Sequence, residues 1–139
     1  EQCTKAKLTD FGESVLVNDT DHKEFDEVMV TDAQSVGTAG YKAPEMIKID
    51  TEHGYNCKVD VFGFGSLCYE LYTRQYVSGL RNLKTYDALK GHEHFLLIPD
   101  DTPEMFGQLI YECWQFDPAK RPTFAQIVNS LEAIMDSFE

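Results

Sequence analysis

The stretch DVFGFGSLCYEL, running from Asp60 to Leu71, decides how the rest of the chain is read. With their neighbours, Val59, Val61, Phe62, Phe64, Leu67, Cys68, Tyr69, Leu71 and Tyr72 fall on every face of an α-helix. That pattern predicts a helix buried all round in the middle of a domain, the organising element of a core. It is not a membrane span, because its longest uncharged run, Val61 to Tyr69, is far short of the roughly 20 apolar residues needed. Outward toward the C-terminus, Thr102-Pro103 predicts an N-cap with proline at the first helical position. Phe106, Leu109, Ile110, Cys113 and Trp114 then keep the spacing of an amphipathic helix that stops near Asp117-Pro118. Thr123 with Gln126 predicts a capping box. Behind it Phe124, Ile127, Val128, Leu131, Ile134, Met135 and Phe138 give the last helix a continuous apolar face. A shorter helix is expected from Thr85 to Lys90, closed by Gly91. Toward the N-terminus only Thr4 to Thr9 has the pattern of a strand, and the chain holds no internal repeat.

Composition sets the broad class. The 139 residues carry 24 acidic and 12 basic side chains, a formal net charge of −12. Such an excess of acid argues against a nucleic-acid-binding or anionic-membrane module, since polyphosphate and anionic headgroups repel it. With 42% hydrophobic and 12% aromatic residues the chain can bury a core, so a soluble folded protein is expected. The charge is uneven: residues 13–35 hold Glu13, Asp19, Asp21, Glu24, Asp26, Glu27 and Asp32 against Lys23 alone, a net −6. Residues 36–92 sum to +1 and residues 93–139 to −7. The acidic segment has no apolar period and is expected to be a long loop, which in a domain of this size points to function or disorder.

The opening EQCTKAKL has no initiator Met, no basic n-region and no apolar signal core, so the chain is expected to be an excerpt. Cys3, Cys57, Cys68 and Cys113 are spaced too irregularly for a zinc site or a CxxC pair, and are expected to be reduced thiols in a cytoplasmic protein. His92 and His94 form an H-x-H with no further Cys or His close by, better explained as solvated loop than as a metal site.

Three motifs follow in order: Asp10-Phe11-Gly12 after the expected strand, Ala43-Pro44-Glu45 opening a helix, and Cys113-Trp114 with Asp117-Pro118 and Arg121-Pro122. A lone DFG is a weak signal, but the ordered set is strong. From KAKLTDFG through GTAGYKAPE and DVFGFGSLCYEL to CWQFDPAKRPTF the chain resembles the C-terminal lobe of a eukaryotic protein kinase. The resemblance implies a mainly α fold, a kinase-like C-lobe helical subdomain with a short N-terminal β-strand and a long activation loop. Residues 1–139 would be a partial kinase domain, from the DFG strand to the last helix, and residues 10–45 its activation segment. GTAGYKAPE is similar to the serine/threonine-specific pattern, because tyrosine-specific kinases typically carry Trp where this chain has Lys42. The CW, DP and RPTF series looks like tyrosine kinases and the tyrosine-kinase-like group. Together they imply a tyrosine-kinase-like serine/threonine kinase.

The same resemblance implies roles for single residues. Asp10 would hold Mg²⁺ against the phosphates of ATP, while Phe11 packs into the core and Gly12 lets the segment change state. Thr31 and Ser35 sit where a regulatory phosphorylation would fall. Thr38 would contact the catalytic loop and position the acceptor hydroxyl. Glu45 and Arg121 would form a buried ion pair that fastens the activation segment to the helical core, and Asp60 would accept hydrogen bonds from catalytic-loop amides. An acidic loop could also select basic substrates, although solvated charge alone explains it.

The Gly-rich loop, the strand lysine with its glutamate partner, and the HRDxxxxN catalytic loop do not occur in these residues and are expected to precede Glu1. The chain is therefore expected to transfer no phosphate by itself, to be marginal or associating, and to depend on the missing N-lobe and catalytic loop of the same kinase. Its complete domain would use ATP and Mg²⁺ on a protein substrate. The alternative is a pseudokinase or truncated lobe serving as an interaction module.

Overall fold

The computed structural model describes residues 5–17, 28–30, 37–47, 54–77 and 96–138. Among the described residues four α-helices carry the fold: α1 Pro44–Ile47, α2 Lys58–Thr73, α3 Glu104–Cys113 and α4 Phe124–Asp136, with 3₁₀ turns at Phe11–Glu13 and Pro118–Lys120. The architecture is mainly α, and among the described residues the only β-pairing is an isolated antiparallel bridge between Val30 and Tyr55. No strand forms over the described part of Thr4–Thr9. A strand needs a neighbour for its ladder, and Leu8, which would have faced a core, is 90% exposed.

Helix α2 lies at the centre and packs mainly against α3, which in turn receives α4. One side of α2 joins Phe62, Cys68 and Tyr69 to Ala43, Val77, Ile110 and Trp114. Another joins Val61 to Leu109, Cys113, Ile127 and Ile134. Close approach of α2 and α3 depends on Gly65, where a Cβ would stand 2.7 Å from the Cβ of Cys113. At its C-terminus α2 is closed by Arg74 in the left-handed region (φ 59°), whose N–H bonds the Glu70 carbonyl at 2.9 Å.

The expectation that α2 is buried all round needs correcting. Leu67, Leu71 and Tyr72 are exposed, so the helix buries only part of its apolar girth. An apolar pattern states which surfaces can be buried, whereas burial also requires something packed against them. The last helix shows the same shortfall: Ile127 and Ile134 are buried, while Phe124, Val128, Met135 and Phe138 are exposed. Its capping box is present, with the Gln126 N–H donating to Thr123 Oγ1 at 3.2 Å and the Thr123 N–H to Gln126 Oε1 at 2.7 Å.

Thr102 is not the cap of α3. The helix begins at Glu104, its first carbonyl acceptor is Pro103, and the Thr102 hydroxyl is buried with no hydrogen-bond partner. The helix also ends a turn earlier than Asp117-Pro118, at Cys113. Asp117 instead caps the following 3₁₀ turn, its carboxylate accepting from the Ala119 N–H at 3.0 Å. Cys57, Cys68 and Cys113 are free thiols. Among the described residues no helix is long and apolar enough to cross a membrane.

Candidate functional site

Glu45 and Arg121 come together where α1 meets the loop before α4. Arg121 follows the 3₁₀ turn and precedes Pro122, and its extended backbone (φ −75°, ψ 144°) is the conformation that a following proline favours. That direction sends the side chain into the core, where it is wholly shielded from solvent. A guanidinium has five N–H donors, and each is used. The two terminal nitrogens bond Glu45 Oε1 and Oε2 at 2.7 and 2.8 Å, and the same two nitrogens reach the carbonyls of Lys58 at 2.9 Å and Phe116 at 3.2 Å. Nε donates to the Gln115 carbonyl at 2.8 Å. Lys58 returns the contact, its Nζ donating to the Arg121 carbonyl at 3.0 Å. The Phe62 ring lies under the cation, 5.2 Å from Cζ to the centroid, a further stabilising contact for a desolvated charge. One side chain thus ties together α1, the start of α2 and the segment after α3.

A second construction holds the turn from Gly37 to Ala43. Its closing bonds run from the N–H groups of Tyr41 and Lys42 to the Thr38 carbonyl, both at 3.2 Å, and Thr38 itself is exposed. Gly40 adopts φ 87°, and a Cβ there would stand 2.7 Å from the Val77 carbonyl oxygen, so only glycine fits. Ser66 Oγ donates to the Gly40 carbonyl at 2.7 Å and accepts from Trp114 Nε1 at 3.1 Å. One helical turn further along α2, Glu70 accepts from the Tyr41 hydroxyl at 2.8 Å and from the Val77 N–H at 2.7 Å. Burial pushes the Tyr41 phenol up to about 12, and the hydrogen bond to Glu70 and its negative charge add to the shift.

The Asp10 end is more open. Asp10 heads its 3₁₀ turn in the left-handed region (φ 64°, ψ 67°), its carboxylate makes no capping hydrogen bond, and it is exposed. Phe11 is 67% exposed, so the packing of this ring into the core that the resemblance implied is not present among the described residues. Nearby a cleft of about 280 Å³ is lined by Glu13, Val15, Val30, Met46, Cys57 and Asp60 among others. Asp60 stands in the first turn of α2, and burial of its carboxyl raises its pKa although the residue as a whole is exposed.

A model of the family described as protein tyrosine and serine/threonine kinase matches residues 1–131. The chain belongs to this protein kinase family. It is 36% identical over 129 residues to mitogen-activated protein kinase kinase kinase 11 of Homo sapiens, covering 92% of this chain and 14% of the relative. Probable serine/threonine-protein kinase drkC of Dictyostelium discoideum is 33% identical over 131 residues, covering 94% of this chain and 16% of the relative. Dual specificity protein kinase pyk3 of the same organism is 29% identical over 133 residues, covering 95% and 9%. The chain therefore spans only a small part of the length of these relatives.

For a protein kinase the question is whether the residues present fit Mg²⁺ and ATP. Among the described residues no group of three or more His, Cys, Asp or Glu could cage a metal ion. Mg²⁺ in nucleotide sites is held by one or two carboxylates together with substrate phosphates and water, and the exposed carboxylate of Asp10 fits one such ligand. When bound, the ion would supply neutralisation of charge on the phosphates. Thr31, Ser35, His92, His94, the expected helix from Thr85 to Lys90 and Cys3 lie outside the described residues. Lys58, Ser66 and Glu70, which no sequence motif singles out, hold the Gly37-to-Ala43 turn and the surroundings of Arg121 in place. A serine or glutamate inside an apolar helix was a signal to ask for its partner.

Proposed function

We propose that these 139 residues are the C-terminal part of the catalytic domain of a serine/threonine protein kinase, with residues 10–45 as activation segment. The complete domain would transfer the γ-phosphate of ATP, with Mg²⁺, to Ser or Thr hydroxyls of protein substrates in the cytoplasm. In that transfer the bond from the γ-phosphorus to the bridging oxygen breaks, the acceptor oxygen takes its place, and the hydroxyl proton leaves to a base outside this chain. The observation that carries the reading is the double anchorage of the Thr38-to-Glu45 segment: Arg121 grips its end and α2 grips its turn. Such anchorage suits a surface that must present an acceptor hydroxyl in one orientation.

In this reading Asp10 is a metal ligand, with Phe11 and Gly12 beside the nucleotide, and Thr38 positions the acceptor. Thr31 and Ser35 are regulatory phosphorylation sites, and Asp60 accepts from catalytic-loop amides. Free thiols at Cys57, Cys68 and Cys113 support a reducing compartment. The chain has no HRD motif and so no catalytic base, and by itself transfers no phosphate.

The test is phosphate transfer from labelled ATP by the full-length protein to peptides carrying a single Ser, Thr or Tyr. Label is expected on Ser and Thr, lost in Asp10→Asn, and absent with the 139-residue chain. Label on Tyr alone would overturn the specificity, and transfer by the isolated chain would overturn its inactivity. No transfer by the full-length protein would favour an interaction module.

A further inference from the structure

We propose that Ser66 is a positioning residue for the substrate-facing turn, orienting through the Gly40 carbonyl the peptide unit on which Thr38 hangs. The inference rests on the reading of Thr38 as the residue that presents the acceptor.

Ser66 is an odd choice for its place. It is fully buried in the interior of α2, where alanine would favour the helix more and bury no polar group. A serine in that setting commonly turns its hydroxyl back to the carbonyl one turn earlier. Here that contact, to Phe62, is 3.5 Å long, whereas the Gly40 carbonyl lies at 2.7 Å. A hydroxyl has one proton to give, and the shorter bond takes it. The lone pairs then face the Trp114 indole, whose N–H is satisfied at 3.1 Å.

The consequence for the turn follows from the planarity of the peptide unit. The carbonyl of Gly40 and the N–H of Tyr41 belong to one plane. Its oxygen is held by Ser66, and its N–H donates to the Thr38 carbonyl at 3.2 Å. Fixing one end of the plane therefore fixes the direction from which Thr38 is held. Gly40 offers no side chain for this purpose, and the Val77 carbonyl leaves no room for one, so the carbonyl is the available handle. Glu70 secures the next residue through the Tyr41 hydroxyl, so two neighbouring residues are pinned from adjacent turns of one helix.

The two bonds of Ser66 separate positioning from support. The bond to Gly40 acts on the turn, and the bond from Trp114 joins α2 to the end of α3. In the full-length protein, Ser66→Ala, Ser66→Thr and Trp114→Phe are compared for KM of an acceptor peptide, KM of ATP, melting temperature and amide exchange at Tyr41 and Lys42. Ser66→Ala is expected to raise the peptide KM roughly 5-fold or more at unchanged ATP KM, a loss confined to the peptide side of the reaction. It should also speed exchange at both amides. Ser66→Thr, which keeps the hydroxyl, should restore both readouts, and Trp114→Phe should lower the melting temperature alone. Equal effects of Ser66→Ala and Trp114→Phe on every readout would overturn the proposal, as would an unchanged peptide KM and exchange in Ser66→Ala. If the full-length protein transfers no phosphate, the kinase reading fails and the exchange comparison alone decides the role of Ser66. If Ser66→Ala does not fold, Ser66→Cys takes its place, with a weaker donor of similar size and the same expected direction.

Discussion

The guanidinium of Arg121 and the carboxylate of Glu45 stand 76 positions apart in sequence and meet as a two-pronged pair at 2.7 and 2.8 Å, the arginine wholly shielded from water. Because the remaining donors end on three backbone carbonyls, the arginine is satisfied as a unit and cannot be thinned out without leaving something unpaired. Arg121→Lys keeps the charge but replaces five forked donors with three on a point charge. It is expected to leave two of the five contacts without a donor, lowering stability by about 2–6 kcal/mol at ~1–3 kcal/mol for each buried group left unpaired. Urea unfolding of the two proteins under the same conditions measures it, and a loss below about 1 kcal/mol, a surface-pair value, would contradict the burial.

Gly65 and Gly63 lie two residues apart on α2 and are expected to answer an alanine scan with opposite signs. In a helix, Gly to Ala ordinarily stabilises by up to about 1 kcal/mol. At Gly63 the new methyl would meet the Tyr41 carbonyl at 3.5 Å, an ordinary contact, so Gly63→Ala should be neutral or stabilising. At Gly65 it would stand 2.7 Å from the Cys113 Cβ and 3.1 Å from the Trp114 ring, inside the seam between α2 and α3. Overpacking there should cost about 1–3 kcal/mol, enough to reverse the propensity gain. Thermal melts of both variants decide, and a Gly65→Ala that melts no lower than the wild type would mean that the helices are not in contact at Gly65.

Thr102 offers a gain instead of a loss. Its Oγ1 is buried before α3 without a hydrogen-bond partner, while its methyl faces Gly107 across the first turn of the helix. Thr102→Val keeps the branched shape and removes the unpaired oxygen. The expected change is a stabilisation of about 1 kcal/mol, at the low end of the cost of an unsatisfied buried polar group. A destabilised Thr102→Val in the same melting assay would mean that the hydroxyl has a partner in solution.

What could be read in advance divides along the range of the interaction. The start of α4 was legible because a capping box is complete within four residues, Thr123 to Gln126. The stripe of α3 was legible for the same reason, yet its ends slipped: Thr102 resembles a cap, but its hydroxyl does not reach the first N–H groups. Helix α2 was found from its apolar run, but exposure of Leu67, Leu71 and Tyr72 depends on what stands opposite, which no local pattern contains. The pairing of Glu45 with Arg121 came through family resemblance, since nothing in either residue's neighbourhood names the other. Ser66 and Glu70 were missed because their partners, Gly40, Tyr41, Val77 and Trp114, are brought to them by the packed chain.

Alkaline pH should destabilise this chain by way of two buried thiols and one partly buried phenol. Burial pushes the Cys68 thiol from 9.0 up to about 11. It pushes the Cys113 thiol from 9.0 up to about 12, with the neighbouring Cys68 charge adding to the shift. The Tyr41 phenol moves from 10.0 to about 12, first by burial and then by Glu70. In each case the folded state keeps a proton that the unfolded chain has already released. The contribution of these three groups is therefore constant below about pH 9 and falls as pH rises toward 12, because there the unfolded state binds fewer protons. Cys68 and Cys113 influence one another, so neither is read alone, whereas Tyr41 can be isolated by Tyr41→Phe. The phenol's contribution is complete below pH 10, so the stability gap between the wild type and Tyr41→Phe should be widest there and narrow as pH climbs toward 12. Urea unfolding at a series of pH values from 7 to 11 measures the gap. A constant gap would mean that the Tyr41 hydroxyl titrates equally in both states, which its hydrogen bond to Glu70 does not allow.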